Sequence, residues 1–133
     1  MSAVHPRSPC PVTNALEIFG DKWTLILVRD LFLGKSQYNE FLASSEGITT
    51  NILADRLKRL EAAGIIDKNP YQQNPVRYAY RLTEKGRDLM PILAEIAEWS
   101  RKHVNGVAMP KLGERMLAAY RREQRRRLLD ESD

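Results

Sequence analysis

Residues 49–64, TTNILADRLKRLEAAG, gather the side chains of this chain best suited to chemistry, and that chemistry is recognition rather than catalysis. Thr49, Thr50 and Asn51 open the stretch; Asp55, Arg56, Lys58 and Arg59 follow. Asparagine can pair bidentately with an adenine edge, while lysine and arginine hold phosphates or guanine. Leu53, Leu57 and Leu60 stand at i, i+4 and i+7, so they predict a helix that buries one face and wets the other. The competing reading is a solvated helix with a weak Asp55 to Arg59 ion pair.

Catalytic chemistry has little to draw on. His5, His103 and Cys10 have no metal-ligand spacing. GDKW, residues 20–23, is not a phosphate-cradling glycine loop, and no nucleophile motif is present. The sequence therefore implies neither an enzyme nor a cofactor. Cys10 is the single cysteine, so it forms no intrachain disulfide. With Pro11 at the first position of a helix, Cys10 falls at its N-cap, where the helix dipole favours a thiolate. The alternative for Cys10 is a small buried hydrophobe.

The elements that must position these groups follow from pattern. Residues 1–9 predict a flexible arm, with Pro6 and Pro9. A first helix runs from Pro11 to Gly20, and Asp21 caps a second, KWTLILVRDLFL, apolar on most sides and expected at the centre of the core. A short third helix, QYNEFLAS, is joined by SEGIT to the helix over 50–63, which Thr49 caps. Two strands, 65–71 and 77–82, flank QQNPV, where Asn74-Pro75 is a turn signal, so the pair predicts a hairpin. Thr83 caps a long helix bent at Pro91, with Leu89, Ile92, Leu93, Ile96 and Trp99 as its apolar stripe. A last, basic helix covers ERMLAAYRREQRRRLL.

Two helices around a glycine turn, followed by a hairpin, make a winged helix-turn-helix. The fold class is mainly α with a small β wing, flanked by N- and C-terminal dimerisation helices. Thr50 and Asn51 then lie where a recognition helix meets bases, with Gln73, Asn74 and Arg77 on the wing over 70–78. The long apolar stripe exceeds what one small domain covers, which predicts a homodimer reading a pseudo-palindrome. A protein-interaction module without specific DNA binding is the alternative, because the fold does not fix the function.

Length and charge agree with this outline. The chain has 133 residues, 43% of them hydrophobic, and a formal net charge of +4. Its sequence pI of about 9.4 suits a nucleic-acid binder. The longest apolar run, WTLILV, is too short to span a bilayer, and residues 1–12 lack a signal-peptide core, so the expected location is cytoplasmic. One domain over 10–104 with a basic extension over 105–133 is the expected organisation.

CPVTNALEIFGDKWTLILVRDLFLG, YNEF, GITTNILADRLKRLEAAGIIDKNPY and VRYAYRLTEKGRDLMPILAEIAEW together cover residue 10 to about 103. With these motifs the chain resembles the HxlR family of bacterial winged-helix transcription regulators, relatives of the MarR type. The resemblance implies a dimeric DNA-binding regulator, with the helix over 50–63 in the major groove and the terminal helices forming the dimer. It also implies that Cys10, in the CP motif, can sense an electrophile or oxidant, as in some family members. Gln37 stands where such proteins commonly carry an arginine for a phosphate.

Overall fold

The computed structural model describes residues 8–132; residues 1–7 of the expected arm, including His5, lie outside the described residues. The elements run α1(Pro11–Phe19), α2(Thr24–Phe32), α3(Tyr38–Leu42), α4(Thr50–Ala62), β1(Ile66–Gln72), β2(Arg77–Leu82), α5(Glu84–Arg87), α6(Met90–His103) and α7(Lys111–Glu131). This is a winged helix-turn-helix: α3 and α4 flank the turn, and β1 and β2 form the wing.

The core around α2, α3 and α4 follows from the apolar periods. Leu27, Val28 and Leu31 of α2, Phe41 of α3, and Leu53, Leu57 and Leu60 of α4 are all buried. Ile48, Ile65 and Ile66 join them from the turn and the start of the wing. A buried leucine contributes about 1.5–3 kcal/mol. The three leucines of α4 therefore hold that helix by one face and leave the other to solvent. α2 also buries Asp30, whose Oδ1 accepts from Arg29 at 2.8 Å and whose Oδ2 faces Lys35 Nζ at 3.8 Å.

The wing is an antiparallel pair in the register Ile66 to Leu82 and Pro70 to Tyr78, with a bulge between Pro70 and Gln72. Its tip carries a cis Asn74-Pro75 bond, with Asn74 at φ 56°. A short bridge from Gln37 to Ala79 ties the entrance of α3 to β2, and Tyr80 N donates to Ser36 O at 2.7 Å.

Several expectations are corrected in detail. The second helix begins at Thr24 rather than Lys22, although Asp21 still supplies its acceptors: Oδ2 takes the N–H groups of Trp23 and Thr24 at 2.9 and 3.1 Å. The long helix after Thr83 is broken into α5 and α6 rather than bent. Pro91 has no N–H for the carbonyl of Arg87, so α5 stops there and Pro91 sits in the first turn of α6, where proline is tolerated. The last helix starts earlier than expected, at Lys111, and takes in Gly113.

The described chain forms two compact units that part between Leu89 and Met90, inside the span expected as one domain. In the second unit, α6 and α7 fully bury only Ala94 and Leu117 among the described residues. No helix of the described residues is long and apolar enough to cross a membrane.

Candidate nucleic-acid interface

The turn between α3 and α4 is built around Gly47, whose φ of 71° is a conformation that disfavours a side chain. Three sets of side-chain contacts then fix the turn and the helix after it. Thr49 is the N-cap of α4, its Oγ1 accepting from Ile52 N at 3.4 Å. The Tyr38 hydroxyl donates to the Thr50 carbonyl at 2.7 Å, joining α3 to the first turn of α4. Arg29 of α2 donates to both oxygens of Glu46, at 2.9 and 2.8 Å, and the Ser44 hydroxyl adds a 2.7 Å bond. The Arg29 hydrogen bonds, then that of Ser44, hold the Glu46 carboxyl down to about 2, and the same ion pair raises Arg29.

On this frame the solvent face of α4 presents Thr50, Asn51, Asp55, Lys58 and Arg59, all exposed. Thr50 and Asn51 lie in the first turn, where unbonded backbone N–H groups and the positive end of the helix dipole also point outward. Lys58 has no ionic partner among the described residues. Arg59 Nε pairs with Asp55 at 3.0 Å, a contact of two exposed groups that solvent screens. On the wing, Gln73, Asn74 and Arg77 are exposed, and Arg77 has no ionic partner among the described residues. Gln37 is exposed at the entrance of α3, beside the bridge to β2.

Arg56 is placed elsewhere. Its Nε donates to Asp21 Oδ2 at 2.9 Å, it also pairs with Asp55, and only 18% of its side chain is exposed. Burial raises the Asp21 carboxyl, but hydrogen bonds from Thr24, Arg56 and the Trp23 and Thr24 backbone outweigh it and hold it well below the carboxylate range. Asp21, Tyr38, Arg29 and Glu46 were absent from the sequence reading of the site. GDKW and YNEF were visible as motifs, but their partners lie up to 35 residues away.

Residues 18–108, which carry the capped α4 and the wing, match the HxlR-like helix-turn-helix family. The chain belongs to that family. Its relatives include the uncharacterised HTH-type transcriptional regulator YybR of Bacillus subtilis, 39% identical over 75% of this chain and 81% of YybR. The uncharacterised HTH-type transcriptional regulator Mb3122 of Mycobacterium bovis is 38% identical over 70% of this chain, which spans 58% of Mb3122. Among solved structures, the oxidised form of the redox regulator HypR superposes with a TM-score of 0.65 at 38% identity, covering 72% of this chain and 99% of HypR. The HxlR match ends at 108, so all of α7 lies beyond it.

The other expected groups are on α1 and α6. Cys10 is exposed at the N-cap of α1, and its thiol is lowered by the backbone N–H and hydroxyl of Thr13, then the N–H of Val12. Ser8, the end of the arm, is tied there: Asn14 Nδ2 donates to Ser8 O at 2.7 Å and Cys10 N to Ser8 Oγ at 3.1 Å. Of the apolar stripe, Leu89 is buried in its own chain, Ile92 and Leu93 are half-buried, and Ile96 and Trp99 are 48% and 62% exposed.

Proposed function

We propose that this protein is an HxlR-type transcriptional regulator that binds double-stranded operator DNA as a homodimer. In this reading, Thr50 and Asn51 of α4 meet base edges, and Lys58, Arg59, Arg77 and Gln37 hold backbone phosphates. Gln73 and Asn74 enter a groove from the wing. Thr49 and Asp55 act within α4, one as its cap and the other as the partner of Arg59. The observation that carries the reading is the first turn of α4, whose Thr50 and Asn51 are exposed while Thr49, Tyr38 and the Arg29–Glu46 pair fasten it. A cytoplasmic location and the lack of an enzymatic step belong to the same proposal.

The dimer rests on uncovered apolar surface. α1 buries no residue although Val12 and Leu16 lie on it, and α6 leaves Ile96 and Trp99 open. Helices this short draw their stability from packing, so both faces call for a second copy. Two-fold symmetry would set the two reading helices about 34 Å apart, or a multiple of it. Cys10, exposed and with its thiol lowered by the Thr13 and Val12 hydrogen bonds, is the group on which an electrophile or oxidant would act, as the description of HypR as a redox regulator suggests.

Sequencing DNA fragments retained by the purified protein tests the function directly: a shared two-fold motif is expected. Affinity for that motif should fall steeply with salt, because bound phosphates release counterions. Random retained fragments and a flat salt response would favour the interaction module. Sedimentation at micromolar concentration should give a dimer. Cys10→Ser should bind the motif like the parent protein and ignore diamide or a quinone that releases the parent.

A further inference from the structure

One carboxylate fastens two distant parts of the first unit. Asp21 follows α1 and precedes α2, and at this corner Gly20 has no room for a side chain: a Cβ would lie 2.4 Å from Leu16 O. The Oδ2 of Asp21 accepts from the N–H groups of Trp23 and Thr24, and its Oδ1 accepts from the Thr24 hydroxyl at 2.5 Å. Thr24 is itself buried. The same Oδ2 takes Arg56 Nε at 2.9 Å, midway along α4. Lys58 and Arg59, the other basic groups of α4, are exposed, so Arg56 alone among them turns back into the fold.

The geometry of a helix says what this contact controls. Tyr38 holds the first turn of α4 by a backbone carbonyl, and the leucine face holds it by apolar contact, which is not directional. Arg56 adds a directional hold five residues beyond Asn51, about 7.5 Å along the axis. A rotation of α4 by about 10° at a side-chain radius of about 5–6 Å displaces the tip of Asn51 by about 1 Å. A bidentate base contact works within a few tenths of an ångström, so it fails under that displacement. A lysine on its flexible stem still reaches its phosphate.

We propose that Asp21 is a positioning residue for base reading: through Arg56 it sets the rotation of α4 and so the discrimination between operator and other DNA. The inference rests on the DNA-binding reading above and deepens it. It separates Arg56 from the phosphate-holding set, since a guanidinium paired with Asp21 and Asp55 has its charge already answered.

The test uses the full chain with Asp21→Asn, Arg56→Gln, Arg56→Lys and the double variant Asp21→Asn/Arg56→Gln. All are compared at a temperature where circular dichroism shows each folded. The ratio of operator to random-duplex affinity should fall about tenfold in Asp21→Asn and in Arg56→Gln, and no further in the double variant, as coupled groups behave. Arg56→Lys should keep more of the ratio than Arg56→Gln. The salt slope on random duplex should stay that of the parent in every variant. In the protein without DNA, the Arg56 Nε–H should be a protected NMR resonance that Asp21→Asn exposes to exchange.

Two results overturn the inference alone. One is variants that melt lower yet keep the parent ratio. The other is an Arg56→Gln variant whose salt slope drops by about one while Asp21→Asn is silent, which makes Arg56 a phosphate ligand. A parent protein that binds no duplex in a salt-dependent way overturns the DNA-binding reading, and this inference with it.

Discussion

Asn51 and Arg77 both face solvent, but they make different demands on a duplex. Asn51 sits in the first turn of α4, and a bidentate amide contact distinguishes one base pair from the others. Asn51→Ala should cost about 1–3 kcal/mol on the best operator and relax preference at one base pair. Arg77→Ala should weaken all duplexes alike and flatten the salt slope. Equal losses on operator and random DNA for Asn51→Ala would reassign it. Glu46 makes a pH prediction. Its carboxyl is held at about 2 in the fold against an ordinary 4.5, so in that window the unfolded chain binds more protons. The Arg29–Glu46 pair therefore stabilises fully above about pH 4.5 and is lost as pH falls towards 2. Melting followed from pH 5 to 2 should show a shallower acid loss in Glu46→Gln than in the parent; parallel curves would remove the pair from the account.

Element boundaries follow local rules wherever a single side chain enforces them. Gly86 in α5 shows this: a Cβ there would meet Ile65 O at 2.2 Å and Leu82 Cδ2 at 2.9 Å, and a backbone oxygen cannot turn aside. Gly86→Ala should cost about 1–3 kcal/mol and lower the melting temperature. Gly113→Ala should not, because its Cβ would meet the flexible Met109 side chain at 3.1 Å and alanine favours helix by about 1 kcal/mol. Equal melting of the two variants would contradict this. The same locality explains what the sequence made legible. Leucine spacing in 53–60, Thr49 as cap, Gly47 as turn and the strand pair around Asn74-Pro75 are all read within a few residues. Pro91 was read as a bend, because the strength of a break depends on whether α5 packs well enough to stop alone. Asp21 was read as a cap, which is its local half. Its contact with Arg56, like the bridge from Gln37 to Ala79, pairs residues far apart in sequence, and no period or motif carries such a pairing.

At the scale of the whole molecule the open question is what α7 adds, since the family match ends at 108 and α7 runs to Glu131. Its charges divide into two sets. Arg126 and Arg127 lie on Glu123, and Arg121 lies 3.9 Å from Glu98 of α6. Arg115, Arg122 and Arg125 are exposed and have no ionic partner among the described residues. The first set is two local pairs within α7 and one long contact to α6, all between groups that water reaches and each worth little. The second makes a positive patch that would attract DNA or an acidic partner over a Debye length of about 8 Å. Against the patch stands the buried side of α7. Leu117 is 9% exposed, Met116 and Tyr120 are half-buried, and α6 and α7 bury little else. Removing Leu117 from that contact costs about 1.5–3 kcal/mol, more than three screened surface charges supply at physiological salt. Truncation after Val107 should therefore lower the melting temperature more than it lowers operator affinity. A truncated chain that melts like the parent but has a salt slope shallower by two or three would assign the free arginines to phosphates instead.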